Sequence, residues 1–126
     1  MKLDYLPAGS PDCPLIRVYD FTPAEAEQLR AAVVELASGS RQEVEVHRLP
    51  GVESIGGCRL TFRVSRHDGA IVQIESDATF DCRFTIGTWD NVAGLIEPFA
   101  QNGDGFQWLA GVPGEANLIL SVSGQW

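Results

Sequence analysis

Three segments of the chain alternate apolar and polar residues with a period of two, and this pattern limits the possible folds more than any other feature. The segments are EVEVHRL (43–49), CRLTFRVSR (58–66) and FDCRFTI (80–86). Because successive side chains of a strand point to opposite faces of a sheet, each segment predicts a strand with one buried face and one solvated face. Such strands are typical of antiparallel sheets. We therefore expect a mainly antiparallel sheet with one polar surface.

The connection VSRHDGAIVQI (64–74) predicts a hairpin within this sheet. A three-residue loop at 67–69 places Val64 opposite Val72 and keeps the apolar side chains on one face, whereas a two-residue turn mixes the faces. The same register predicts three polar cross-strand pairs, which are Arg59–Asp77, Thr61–Glu75 and Arg63–Gln73.

A helix is predicted over TPAEAEQLRAAVVELASG (22–39), where apolar residues recur at helical spacing. Thr22 is a favourable N-cap, and Glu25 stands three residues later, which completes a capping box. Gly39 is placed to end the helix, since glycine accepts the left-handed backbone conformation that commonly follows a last helical turn.

A second helix is predicted within GTWDNVAGLIEPFA (87–100). Thr88 is the expected N-cap, and Asp90 falls in the first turn, where the helix dipole favours negative charge. Pro98 has no backbone N–H, so we expect the helix to end or kink near Glu97.

The order of these elements indicates the fold class. Further strands are predicted from LIRVYDF (15–21), FQWLAGV (106–112) and NLILSVSGQW (117–126), whereas residues 1–13 are expected to form an irregular N-terminal segment. The predicted order is β-α-β-β-β-β-α-β-β, with about five to seven strands. A chain of 126 residues suits a single domain. We predict an α+β fold in which two helices pack on one face of the sheet.

Charge and composition exclude several classes of partner. The chain carries 9 basic and 17 acidic residues, which give a net charge of −8. Proteins that bind nucleic acids or anionic membranes neutralise phosphates with Lys and Arg, so we expect neither partner. No apolar run suits a secretory signal or a membrane span. An odd number of cysteines, Cys13, Cys58 and Cys82, predicts a reduced protein of the cytoplasm rather than a disulfide framework.

The motifs of catalytic, nucleotide and metal sites are missing from the sequence. The segment GVESIGGC (51–58) has the glycine spacing of a phosphate-binding loop but lacks its lysine and hydroxyl residue. His47 and His67 are the two histidines, and no ligands have the close spacing of a zinc site. We therefore predict no cofactor, no metal and no catalytic residue.

The polar face of the predicted sheet is the main candidate for function. Its candidate residues are Arg59, Arg63, Arg83, Glu75 and His47. One interpretation is a solvated face with weak cross-strand ion pairs. The other is a recognition surface whose arginines contact a partner's carboxylates. Our leading hypothesis is a small, acidic, non-catalytic domain that binds another protein or itself, so a homo-oligomer is one expected state.

The tryptophans support an alternative hypothesis. A pocket between the sheet and the second helix, near Trp89, Asp90 and Trp108, predicts a small-ligand binder or an enzyme. Trp126 is either mobile or docked, on the body of the protein or on a second subunit. If Trp126 docks on a second subunit, the closing strand is expected to pair two protomers at a sheet edge. The ending GFQWLAGVPGEANLILSVSGQW is typical of a compact bacterial domain but contains no motif of a named function.

Overall fold

A computed structural model describes residues 1–74, 77–111 and 115–126 of the chain. These residues form an α+β fold, which confirms the predicted class. The helices are α1 (Pro23–Ala37) and α2 (Ile86–Ala100). The strands are β1 (Lys2–Leu6), β2 (Leu15–Tyr19), β3 (Glu43–Glu45), β4 (Glu53–Ser54), β5 (Arg59–Val64), β6 (Val72–Gln73), β7 (Thr79–Phe84), β8 (Phe106–Ala110) and β9 (Asn117–Ser121).

The strands form two mixed sheets rather than one mainly antiparallel sheet. Sheet A has five strands in the order β4-β1-β2-β9-β8, and sheet B has four in the order β3-β5-β7-β6. The pairs β1–β4, β2–β9 and β5–β7 are parallel, and the other pairs are antiparallel. The sequence pattern showed that one face of each strand is buried, but a period of two does not reveal the direction of the neighbouring strand.

The predicted hairpin is wrong, because β5 pairs with β7 and not with the segment that follows it. The short strand β6 pairs with the far side of β7 instead. Asp68 explains the difference, since its carboxylate accepts hydrogen bonds from Thr85 N (2.8 Å) and Thr88 Oγ1 (2.7 Å) at the start of α2. The hydrogen bond from the Thr88 hydroxyl is the main cause that lowers the pKa of Asp68, and the bond from the Thr85 backbone N–H lowers it further. The expected turn residue is thus a helix-capping residue.

One hydrophobic core joins both sheets and both helices. The inner faces of β1, β2 and β9 contribute to the same cluster of buried residues as the inner faces of β5 and β7. The helices α1 and α2 contact each other and add their apolar faces to this cluster. The two helices therefore lie in one core that both sheets share.

The first helix follows its sequence signals, and the second departs from them at both ends. Thr22 and Glu25 form the predicted capping box of α1. The N-cap of α2 is Thr85, whose side chain accepts from Thr88 N, so the helix begins three residues before the expected position. Pro98 lies within the last turn of α2 and does not end it, because the buried Phe99 holds that turn against the core.

The N-terminal residues are a strand where we expected irregular backbone. β1 lies inside sheet A, between β4 and β2. The charge of Asp4 interrupts the apolar pattern, yet Asp4 is buried because Arg17 on β2 donates to both of its oxygens, Nε at 2.9 Å and Nη2 at 2.6 Å. A bidentate pair of this kind satisfies a buried carboxylate. The prediction of an irregular segment at residues 1–13 is therefore wrong for Lys2–Leu6, where the pairing with β2 supplies Asp4 with its partner.

The last residues of the chain cover the outer face of sheet A. The strand register places Leu15, Arg17 and Ile119 on this face, yet Leu15 and Ile119 are 0% exposed. Arg17 Nη1 donates to Gly124 O at 2.8 Å, and Ser121 Oγ donates to Gln125 O at 2.6 Å. These bonds hold residues 123–126 against the sheet and form a small second core there.

We predict that Gly124→Ala is more destabilising than Gly105→Ala. Both glycines have similar positive φ angles, +85° and +81°, so both alanines are strained by about 1–2 kcal/mol. A Cβ at Gly124 lies 2.9 Å from Tyr19 Cδ2, whereas a Cβ at Gly105 meets nothing within 4 Å. This close contact lowers the free energy of unfolding of Gly124→Ala by about 1–3 kcal/mol more. Urea denaturation measures both losses, and equal values would show that residues 123–126 do not pack on the sheet.

Candidate functional site

The outer face of sheet B brings the predicted arginines together, and we call this surface the arginine face. It consists of outward-pointing residues of β3, β5 and β7. The parallel register of β5 and β7 aligns Arg59 with Thr79, Thr61 with Asp81 and Arg63 with Arg83. On the other side of β5, Glu43 lies opposite Arg63 and Glu45 lies opposite Thr61. The members of the arginine face are Glu43, Glu45, Arg59, Thr61, Arg63, Thr79, Asp81 and Arg83.

Asp81 organises the centre of the arginine face. It is 5% exposed, and its Oδ2 accepts from Arg63 Nε at 3.0 Å and from Arg83 Nη2 at 3.2 Å. Arg63 also pairs with Glu43. Within the described part of the chain, Oδ1 of Asp81 and Oγ1 of Thr79 have no hydrogen-bond partner. The buried carboxylate therefore fixes the direction of two guanidinium groups.

Three arginines of this region present charge to solvent. Arg59 is exposed and forms no ion pair with any residue that the structure describes. The side chain of Arg83 is 60% exposed although it touches Asp81. Arg48, which follows β3, is also exposed and pairs with Glu45 at 2.9 Å. Because these guanidinium groups face solvent, a carboxylate of a partner can reach them.

His47 lies at the edge of this surface, on a 3-10 turn at Val46–Arg48 rather than on the predicted strand. Its Nδ1 lies 3.1 Å from the backbone N and 3.2 Å from the backbone O of Leu60. Its Nε2 faces Glu45 Oε2 at 3.4 Å. A ring held at both nitrogens is positioned as part of the surface and not as a free base.

A shallow cavity of about 350 Å³ lies beside His47 on the arginine face. Its described lining combines two arginines, two hydroxyl groups and the His47–Glu45 pair. Such a lining offers donors to an anionic group and contains no cysteine or serine that could act as a nucleophile. The lining residues are Glu45, His47, Arg48, Arg59, Thr61 and Thr79.

The structure separates the other predicted site residues. Trp89 is 0% exposed, and its indole lies between Phe62 and Phe84, with ring centroids 4.7 Å and 4.9 Å away. Its Nε1 donates to Arg63 O at 2.9 Å. Trp89 therefore belongs to the core and cannot touch a ligand. Asp90 is exposed on α2.

Two further candidates lie elsewhere, and one lies outside the described residues. Trp108 is half-buried on β8, at an edge of sheet A. Trp126 docks on the body of the protein, where its Nε1 donates to Asp12 Oδ2 at 2.9 Å. The strand β9 lies between β2 and β8, so it is not available to pair two protomers at an edge. Glu75, with its predicted pair to Thr61, falls outside the described residues.

The thiols of Cys58 and Cys82 are buried, and Cys13 is half-buried. Burial raises the pKa of Cys58 to about 12 and raises the pKa of Cys82 as well. A thiol with a raised pKa forms little thiolate near neutral pH and is a poor nucleophile or metal ligand. Among the residues described, no group of three or more His, Cys, Asp and Glu side chains could hold a metal ion. No helix in the described ranges is long and apolar enough to cross a membrane.

Two acidic residues of these surfaces were missed from the sequence. The sequence pattern could have identified Asp81, since it occupies a polar position in the alternating segment FDCRFTI (80–86), two residues before Arg83. No local pattern could have identified Asp12, because its contact with Trp126 joins residues that lie 114 positions apart.

Comparisons with other proteins give no further guide to function. No protein-family model matches the chain. No curated protein and no solved structure shows significant similarity to it.

Proposed function

We propose that the chain is a non-catalytic interaction domain whose arginine face binds an acidic segment of a partner protein. The observation that carries the proposal is the alignment of Arg59, Arg63 and Arg83 on one face, around the buried carboxylate of Asp81. Arginine suits this role because its planar guanidinium pairs with a carboxylate through two parallel hydrogen bonds.

The distribution of charge supports the same proposal. Six of the nine basic residues fall between positions 41 and 83, although the whole chain has a net charge of −8. Residues 84–126 contain no lysine or arginine. Residues 41–83 also contain seven acidic residues, so their net charge is −1, against −3 for residues 1–40 and −4 for residues 84–126. An acidic segment is therefore repelled less by this part of the chain than by the rest, which favours one orientation of binding. The six residues are Arg41, Arg48, Arg59, Arg63, Arg66 and Arg83.

The pairing with Asp81 prepares this surface for binding. A free arginine side chain loses about 2 kcal/mol of rotamer entropy when it is held in one conformation. Asp81 holds Arg63 and Arg83 before a partner arrives, so part of this cost is met on folding. Each exposed ion pair contributes only about 0.2–1 kcal/mol, and several must act together. Binding through this face is thus expected to weaken as salt concentration rises.

The test compares two double variants that change the net charge equally. Arg59→Ser with Arg83→Ser removes exposed charge from the arginine face and keeps Arg63 beside Asp81. Lys2→Ser with Arg30→Ser removes two basic residues outside residues 41–83, whose ion-pair partners are Asp20 and Glu27. Fluorescence anisotropy with a labelled peptide of alternating glutamate and serine measures affinity. We expect about a tenfold loss for the first variant and little change for the second.

Two results would contradict the proposal. Equal loss in both variants would show that only net charge matters. Unchanged binding in the first variant, with its circular dichroism spectrum intact, would exclude the arginine face. Light scattering tests for self-association. If the wild-type protein is a dimer and the first variant is a monomer, the acidic partner is a second copy of the chain.

A further inference from the structure

A second cavity, of about 360 Å³, lies at the edge of sheet A and has a different character. It is formed by the loop before β2, by the end of β8 and by the start of β9. Its volume falls within the range of small-molecule sites. The described lining residues are Asp12, Trp108, Leu109, Ala110, Gly111 and Asn117.

The polar groups of this cavity are mainly acceptors. The carboxylate of Asp12 is the one charged group in the described lining. Its Oδ2 already accepts from Trp126 Nε1 at 2.9 Å, which fixes the carboxylate and leaves Oδ1 for another donor. The amide Nδ2 of Asn117 donates to Asp12 O at 2.9 Å, so one of its two N–H groups is occupied. A ligand that brings hydrogen-bond donors therefore fits this lining better than one that brings acceptors.

One side of the cavity is lined by a tryptophan. Trp108 lies on β8, and Phe106 meets it edge to face with ring centroids 6.5 Å apart. The face of a tryptophan ring attracts cations, and it does so better than the rings of tyrosine or phenylalanine. An aromatic wall beside a fixed carboxylate is the combination that binds organic cations.

The surrounding charge favours a cation as well. Residues 84–126, which supply most of the lining, contain no lysine or arginine. Arg17 lies on the same outer face of sheet A, but Asp4 neutralises it through a pair at 2.6 Å. A cation entering the cavity therefore meets the charge of Asp12 without a competing unpaired arginine on this face among the residues described.

We propose that this cavity binds an alkylammonium or alkylguanidinium group, with Asp12 as its counter-ion and Trp108 as its aromatic wall. Such a group belongs either to a free amine or to a lysine or arginine side chain of a partner. The site lies on sheet A, so it is separate from the arginine face of sheet B and does not depend on the function proposed for that face.

The indole N–H signals of the three tryptophans in a two-dimensional NMR spectrum test this proposal. Titration with n-butylammonium should shift the signals of Trp108 and Trp126 to saturation, while Trp89, which is sealed in the core, should not respond. The neutral isostere n-butanol should bind about tenfold more weakly, because it lacks the charge that Asp12 and Trp108 recognise. Equal binding of both probes, or no saturable shift, would overturn the proposal.

Two matched variants test whether Asp12 is the counter-ion of the bound cation. Asp12→Asn keeps an acceptor for Trp126 and removes the charge, so n-butylammonium binding should fall about tenfold while the Trp126 signal stays in its folded position. Asp90→Asn removes one charge from an exposed position on α2 and should leave binding unchanged. Equal effects of the two variants would overturn the role of Asp12.

The source of the cation is decided by a second titration. A blocked glycine-lysine-glycine peptide presents the same butylammonium group on a polypeptide backbone. Tighter binding of the peptide would support a protein partner that inserts a lysine, and tighter binding of n-butylammonium would support a free amine. Failure of both probes would exclude the site.

Discussion

Replacing Trp89 by alanine is expected to lower the free energy of unfolding by about 3–5 kcal/mol. Trp89 is 0% exposed and packs between Phe62 and Phe84, so its removal leaves a large cavity in the shared core. The Arg63 carbonyl also loses the hydrogen bond from the indole. Urea denaturation followed by circular dichroism measures the loss.

Trp108→Ala is the matched control for this experiment. Trp108 is half-buried at a sheet edge, so its loss should lower stability by only about 1 kcal/mol. Trp89→Phe keeps an aromatic ring and removes the indole donor, which separates packing from the hydrogen bond. A small effect of Trp89→Ala, similar to that of Trp108→Ala, would contradict the core role and return Trp89 to the candidates for ligand binding.

Arg17→Ala is expected to cost about 3–5 kcal/mol, because it removes one partner of a buried ion pair. Asp4 would keep a buried carboxylate without its bidentate donor. The same change removes the bond to Gly124 O and the stacking of the guanidinium over the Tyr19 ring, 4.2 Å from its centroid. Chemical denaturation measures the loss, and the indole signal of Trp126 reports whether residues 123–126 stay docked.

The control for Arg17 is Arg30→Ala, which removes an arginine from an exposed pair with Glu27 on α1. That change should cost far less stability than Arg17→Ala, because the pair is exposed to solvent. The double variant Asp4→Ala with Arg17→Ala should lose less than the sum of the two single losses, since no unpaired buried charge remains. Additive losses would show that the two side chains do not act as a pair.

Local signals in the sequence predicted the elements that local interactions determine. The capping box of Thr22 and Glu25 fixed the start of α1. The alternation of β5 predicted that Arg59 and Arg63 share a face, because this result needs only the period of two. Arg83 joins them because β7 pairs with β5.

Contacts between distant residues account for the errors. The residues around Asp68 predict a turn, yet its carboxylate accepts hydrogen bonds from the start of α2. The strand at Lys2–Leu6 was not predicted, and its buried Asp4 depends on Arg17, which lies 13 residues away. The cavity at Trp108 depends on Asp12, which no local pattern connects to it. A single sequence does not encode such pairs in a form that periodicity can reveal.

The parallel pairing of β2 with β9 has a consequence for synthesis on the ribosome. Leu15 on β2 aligns with Asn117 on β9, so the two strands are separated by about 100 residues of chain. At about 5–20 residues per second, β2 emerges roughly 5–20 s before its neighbour exists. During that interval one side of β2 presents unpaired backbone groups and apolar side chains, the features that holdase chaperones shield and that promote aggregation. The nascent chain is thus most vulnerable late in translation, until β9 closes the sheet.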